Sequence, residues 1–220
     1  MVNLRPDLSS YSRVSYIREL YGEYESTIEA MNEAVDAGAP KTESQAHVTY
    51  QLGNLYFNRG ELNQAEMIYT EVVTMFPDYF YAQIGLAKVQ AARGNPAKAI
   101  EVYSKVTQRM PLPEFIIKLS DLYTLTNQTE QAKKQYDLVR AIQKIYRENG
   151  VNTDMEMALF EANHDNDLPQ ALLRARQEFA ARPSIKAADE LTGDYRLLVM
   201  RSSRFSGWVL WTDWCSFTPI

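Results

Sequence analysis

One spacing limits what this chain can fold into more than any other feature. Gly60 and Gly94 stand 34 positions apart, and so do Ala65 and Ala99, Tyr69 and Tyr103, Val72 and Val106, and Pro77 and Pro111. A further step of 33 reaches Asn127, Ala132, Tyr136 and Val139. A step of 38 backwards from the first set reaches Gly22, Thr27, Met31 and Ala34, and one of 39 forwards from the third reaches Asn166, Ala171 and Ala175. A unit this short cannot bury its own apolar face, so its copies must stack on one another and share a core from neighbour to neighbour.

Each unit reads as a helical hairpin. In QAHVTYQLGNLYFNRG the apolar positions Val48, Leu52, Leu55 and Tyr56 recur at steps of three and four, the period of a helix face. Gly60 stops that helix because it enters the left-handed region without a Cβ penalty. A second helix is expected from about Leu62 to Met75, with Ala65, Ile68, Tyr69, Val72 and Val73 on one face and Pro77 closing the unit. Asn95 and Pro96 form an expected N-cap and first-turn pair. Small residues at Gly53, Ala87 and Ser120, facing Ala65, Ala99 and Ala132, let paired helices cross closely. Tyr69, Tyr103 and Tyr136 fill the wider gap between hairpins.

These residues carry a family resemblance. LGNLYFNRGELNQAEMIYTEVVTMFPD, GLAKVQAARGNPAKAIEVYSKVTQRMP and LSDLYTLTNQTEQAKKQYDLV are similar to tetratricopeptide repeats, most clearly over residues 46–146. The resemblance implies an all-α, right-handed superhelical solenoid of antiparallel helix hairpins. Its expected units are 8–41, 46–79, 80–112, 113–146 and 152–185, after a lead-in at 1–7 and before an atypical cap or tail at 185–220. AGAPKTES is expected to lengthen one connection, and the helix starting near Thr129 should run on to about Asn149, either as simple elongation or as a ridge for a partner.

In such an array the first helix of each pair lines a concave groove. Residues of those helices that do not serve packing are the candidate binding surface: His47, Tyr50, Asn54, Phe57 and Asn58, then Tyr81, Ile84 and Lys88, then Glu114, Ile117 and Asp121. The first unit would add Tyr16 and Glu19, and the fifth Phe160. Tyr and Asn suit the grip of a peptide, joining aromatic area to amide hydrogen bonds. On this reading Asn54→Ala spares the fold and weakens binding, whereas Ala99→Trp overpacks the array. Relatives that clamp the acidic C-terminus of a chaperone use Lys, Arg and Asn across the groove. Here the matching positions hold Tyr50, Asn54, Gly85, Glu114 and Lys118, which argues against that ligand.

The last segment breaks the repeat. Trp208, Trp211, Trp214 and Phe217 stand in a nearly uncharged stretch with the single Cys215. They are candidate contacts for homo-oligomerisation, and the segment could cap the array, enter a groove or stand apart from the fold. A net charge of -5 argues against a nucleic-acid binder that grips by a broad basic field, though it leaves room for a local patch. No phosphate loop, HExxH or G-x-S-x-G motif is present, and His47 and His164 fall in different units. HDNDLP reads as a turn rather than a calcium loop. The expectation is therefore a non-catalytic scaffold with a protein or peptide partner, no cofactor and no metal. Neither a signal sequence nor a membrane-spanning run is visible, and the cytoplasm is the default compartment.

Overall fold

The computed structural model describes residues 6–151, Phe160 and a few positions between 172 and 180. Eight helices form among them: α1 (Leu8–Leu20), α2 (Tyr24–Asp36), α3 (Glu43–Asn58), α4 (Leu62–Met75), α5 (Phe80–Ala92), α6 (Pro96–Arg109), α7 (Pro113–Leu125) and α8 (Thr129–Glu148). The described residues contain no strand. The chain divides into two compact units, one up to Ala132 and a second from Lys133, so most of α8 belongs to the second.

Short turns reverse the chain within each pair, and the turn chemistry repeats. Gly60 sits at φ 77° and Gly94 at φ 79°. Around the first, the Gly60 N–H donates to the Phe57 carbonyl at 2.9 Å and the Glu61 N–H to the Tyr56 carbonyl at 3.0 Å. This double bond satisfies carbonyls that the end of a helix leaves open. Asn127 takes the same place after α7 at φ 59°, with matching bonds from Asn127 to Thr124 and from Gln128 to Tyr123. Asn replaces Gly there because its short polar side chain tolerates the left-handed region better than other residues do.

Helix starts follow sequence less uniformly. Asp7 and Ser10 form a reciprocal cap on α1, and the Thr42 hydroxyl accepts from the Gln45 N–H at 3.2 Å to open α3. Pro96 and Pro113 occupy the first turns of α6 and α7, where no N–H is required. Asn95 is the N-cap of α6 by position alone. Its side chain donates to Gln90 Oε1 at 3.5 Å and makes no cap bond, which corrects the expectation from sequence.

In the first unit α1 packs on α2, α3 on α4 and α5 on α6, and each even helix then packs on the next odd one. The odd helices also meet directly, α1 with α3 and α3 with α5, so they form one layer and the even helices another. The core is correspondingly a line of small clusters. Met31, Ala34, Val48, Leu52, Leu55 and Ile68 make one, and Ile84, Ala87, Ala99, Tyr103, Val106, Phe115, Leu119 and Leu122 make another. The expected small residues Gly53, Ala65, Ala87, Ala99 and Ser120 are all buried.

Tyr69 shows why they must be small. Its fully buried ring lies against Gly53 of α3 and Gly85 of α5. A Cβ on Gly53 would stand 2.5 Å from Tyr69 Cε1, and one on Gly85 2.7 Å from the same atom. One ring thus joins a hairpin to its successor.

In the second unit Val139 is fully buried and the Tyr136 ring meets Phe160 edge-on at 5.7 Å. Phe160 is 2% exposed, which removes it from the candidate binding surface. Gln143 is equally buried, and neither polar atom of its side chain has a hydrogen-bond partner among the described residues. No helix among the described residues is long and apolar enough to cross a membrane.

Candidate functional site

The layer of α3, α5 and α7 carries an aromatic wall. Tyr50, on α3, lies with its ring centroid 5.9 Å from Tyr69, 6.1 Å from Tyr79 and 5.8 Å from Tyr81. Tyr79 and Tyr81 are 6.0 Å apart, and Tyr81 meets Phe115 of α7 edge-on at 5.5 Å. His47 extends the wall on α3: its ring lies 6.5 Å from Tyr50, and its Nδ1 is 3.2 Å from the Tyr79 hydroxyl. Helical spacing puts His47 and Tyr50 on one face of α3, while Tyr79 enters from the N-cap of α5.

Burial sets the chemistry of these phenols. It pushes Tyr79 up to about 12, aided by the neighbouring Tyr50, Glu43 and Tyr81. Burial likewise raises Tyr50 and Tyr81 and the Glu114 carboxylate adds to both, while a hydrogen bond with the Asn54 side chain opposes the rise at Tyr50. All three therefore remain neutral hydroxyls at physiological pH, able to donate as well as accept. Lys88 lies further along α5, half-buried. Burial lowers its ammonium, Lys118 lowers it further, and Glu114 opposes both. Lys118 reaches Asp121 at 3.4 Å.

The nominated residues separate into three groups. His47, Tyr81, Asn58 and Glu114 are exposed, and Tyr50, Phe57, Lys88, Ile117 and Asp121 half-buried. Ile84 is 3% exposed and belongs to the cluster with Tyr103 and Phe115, so it is a core residue rather than a groove contact. Asn54 is tied into packing. Its Oδ1 accepts from the buried Tyr69 hydroxyl at 2.8 Å, and its Nδ2 donates to Gln51 Oε1 at 3.0 Å. Removing its amide would orphan the tyrosine hydroxyl, so Asn54→Ala does not spare the fold as sequence suggested. Trp208, Trp211, Trp214, Phe217, Cys215, His164 and the HDNDLP stretch lie outside the described residues.

Sequence reasoning did not nominate Tyr79, Glu43 or Phe115. Tyr79 belongs to a connection, where helical periodicity gives no signal. The alternate tyrosines of DYFYAQ were the available clue.

Comparison with known proteins agrees with the helical-hairpin fold. Residues 59–116 match a family described as tetratricopeptide repeat. Among solved structures, TTC0263, a thermophilic TPR protein of Thermus thermophilus, superposes with a TM-score of 0.60 at 14% identity, covering 87% of this chain and 99% of that one. Cut9–Hcn1, an APC/C hetero-tetramer, gives 0.56 at 14% identity over 88% of this chain and 37% of that one. MamA gives 0.53 at 19% identity over 67% and 85%. No curated protein matches the sequence. Residues 59–116 are tetratricopeptide repeat sequence, and the chain carries the fold of that family. Proteins of this class are, in general, protein-interaction scaffolds.

Proposed function

We propose that the protein is a non-catalytic scaffold that holds a peptide or protein surface on the inner face of α3, α5 and α7. The carrying observation is the aromatic wall of His47, Tyr50, Tyr79 and Tyr81. Tyr50 and Tyr79 pack in part against the buried Ala46, Val72 and Ala82, whereas His47 is exposed and Tyr81, in ring contact with Tyr50 and Phe115, is 38% exposed. A surface built before binding avoids the cost of ordering it afterwards, and large rigid rings give contact area at low entropic cost. The test is affinity capture from the native source with wild type and with a Tyr81→Ala, Glu114→Gln double variant. Partners retained by the wild type and lost by the variant, with unchanged helical circular dichroism, support the reading. An identical partner set contradicts it.

Self-association is a second reading, favoured by a separate observation on α1. On α1 Tyr16 is 53% and Ile17 51% exposed, and Tyr21, its C-cap, is 79% exposed, which sets three large side chains close together on the surface. Light scattering across concentrations, with Ile17→Glu as the control, tests it. A monomer at every concentration removes this reading.

A further inference from the structure

We propose that the outer face of α8 is a self-recognition surface, on which α8 of a second copy of this chain packs antiparallel about a two-fold axis at Ala141. The surface is separate from the inner face of α3, α5 and α7. It shares with the α1 reading only the fact of self-association.

Two stripes run along α8. Val139 and Gln143 are buried, with Tyr136 and Ile142 half-buried beside them, and this face turns inward. On the opposite face Lys134, Leu138, Ala141, Ile145 and Glu148 are all exposed, at successive steps of four, three, four and three. That alternation is the heptad seam by which one helix packs along another. Leu138 is 42% exposed and Ile145 56%, so the large apolar residues of the seam stay largely uncovered.

Symmetry selects the occupant. An α-helix turns by about 100° and rises by about 1.5 Å per residue. Measured from Ala141, Leu138 and Ile145 fall on one side of the seam, and Asp137 and Lys144 on the other. Lys134 and Glu148 stand seven residues away in the two directions, both within about 20° of the seam. A two-fold axis at Ala141 reverses the second helix and leaves each side on its own side. It therefore sets Leu138 level with Ile145 of the second copy, Asp137 with its Lys144 and Lys134 with its Glu148, each pair made twice. The small Ala141 at the axis lets the two backbones approach. A parallel pairing would bring Lys134 onto Lys134 and Glu148 onto Glu148, which like charge disfavours. An unrelated partner needs no such order of opposites about one position, whereas a second copy uses all of it.

The ion pairs already on the helix leave the charges open to this use. Lys134 has no ion pair among the described residues. Asp137 pairs with Arg140 at 2.8 Å and Glu148 with Lys144 at 4.0 Å, all of them exposed. Exposed pairs of this kind contribute little, so they exchange for pairs across a contact at small cost.

Sedimentation equilibrium of the full chain up to about 300 μM reads the association directly. One helix pair is a small contact, so a dimer with a dissociation constant of about 10–100 μM is expected. Ile145→Glu should weaken it by at least about tenfold. Lys134→Glu and Glu148→Lys should each weaken it by about tenfold, and the two together should restore it to within about threefold of wild type. That rescue separates a lost contact from a lost fold. In a Cys215→Ser background, Ala141→Cys should form a disulfide between copies on mild oxidation, because the position lies on the axis. Lys134→Cys should not, because reversal holds its two copies about 21 Å apart. A monomer at every concentration overturns the proposal. So does a double reversal that fails to restore association, or equal cross-linking at Lys134 and Ala141. A dimer that Ile145→Glu leaves intact overturns it as well, and if Ile17→Glu breaks that dimer the α1 reading stands.

Discussion

Tyr69 concentrates the physical demands on single residues. Its ring is enclosed between Gly53 and Gly85, and its hydroxyl donates to Asn54. Gly53→Ala drives a methyl into the ring at 2.5 Å, and overpacking of this kind costs about 1–3 kcal/mol. Urea titration of Gly53→Ala and Gly85→Ala should show both losses. Asn54→Ala should cost about 1–3 kcal/mol through the orphaned hydroxyl, while Tyr69→Phe, which removes the donor itself, costs less. Gly53 was legible in the sequence because it recurs as Ala87 and Ser120. Gly85 was not, because its counterparts are Gln51 and Lys118 and its reason is a ring sixteen positions earlier in the chain. The tyrosines also set the alkaline limit. Burial raises Tyr69, Tyr79 and Tyr103 above the ordinary value of 10.0. The folded state therefore binds phenolic protons more tightly than the unfolded state does. The stability this contributes is complete below pH 10 and is lost as pH rises through the folded values. The share of the tyrosinate absorbance that belongs to these buried phenols should accordingly appear together with the loss of helical circular dichroism, above pH 10. Full ionisation of these phenols with the helices intact would contradict the burial described.

At the scale of elements, the helix ends were the most readable feature. The expected second helix from Leu62 to Met75 coincides with α4, and the long helix near Thr129 is α8, twenty residues in all. Turn residues with one stereochemical job give these boundaries away, since left-handed geometry narrows the choice to Gly and Asn. Gly60→Ala should cost about 1–2 kcal/mol on that ground, and Asn127→Gly should be neutral or stabilising. N-caps were read less well. Thr42 caps α3 through its side chain and Asn95 fails to cap α6, a difference of rotamer and backbone angle that residue type does not determine. Gln143 on α8 gives an opposite test. Both polar atoms of its side chain are buried without partners among the described residues, so Gln143→Leu should raise the thermal midpoint, by about 1 kcal/mol of stability. A fall would mean that the amide has a bonding role.

At the scale of the molecule, the repeat period predicted an all-α stack of hairpins with a succession of small cores, and the first unit has that form. The inner surface was legible only in part. Periodicity on the odd helices nominated His47, Tyr50 and Tyr81, which keep exposed surface, but also Ile84 and Asn54, of which neighbouring rings enclose the one and bond the other. It missed Tyr79 because a connection has no period to read. The same layering of helices makes the function testable in one stroke. Amide hydrogen exchange of the full chain, with and without a captured partner, should show slowed exchange in α3, α5 and the start of α7. The outer helices α2, α4 and α6 should be little changed. Protection concentrated on those outer helices, with α3 and α5 unaffected, would contradict binding at the inner face.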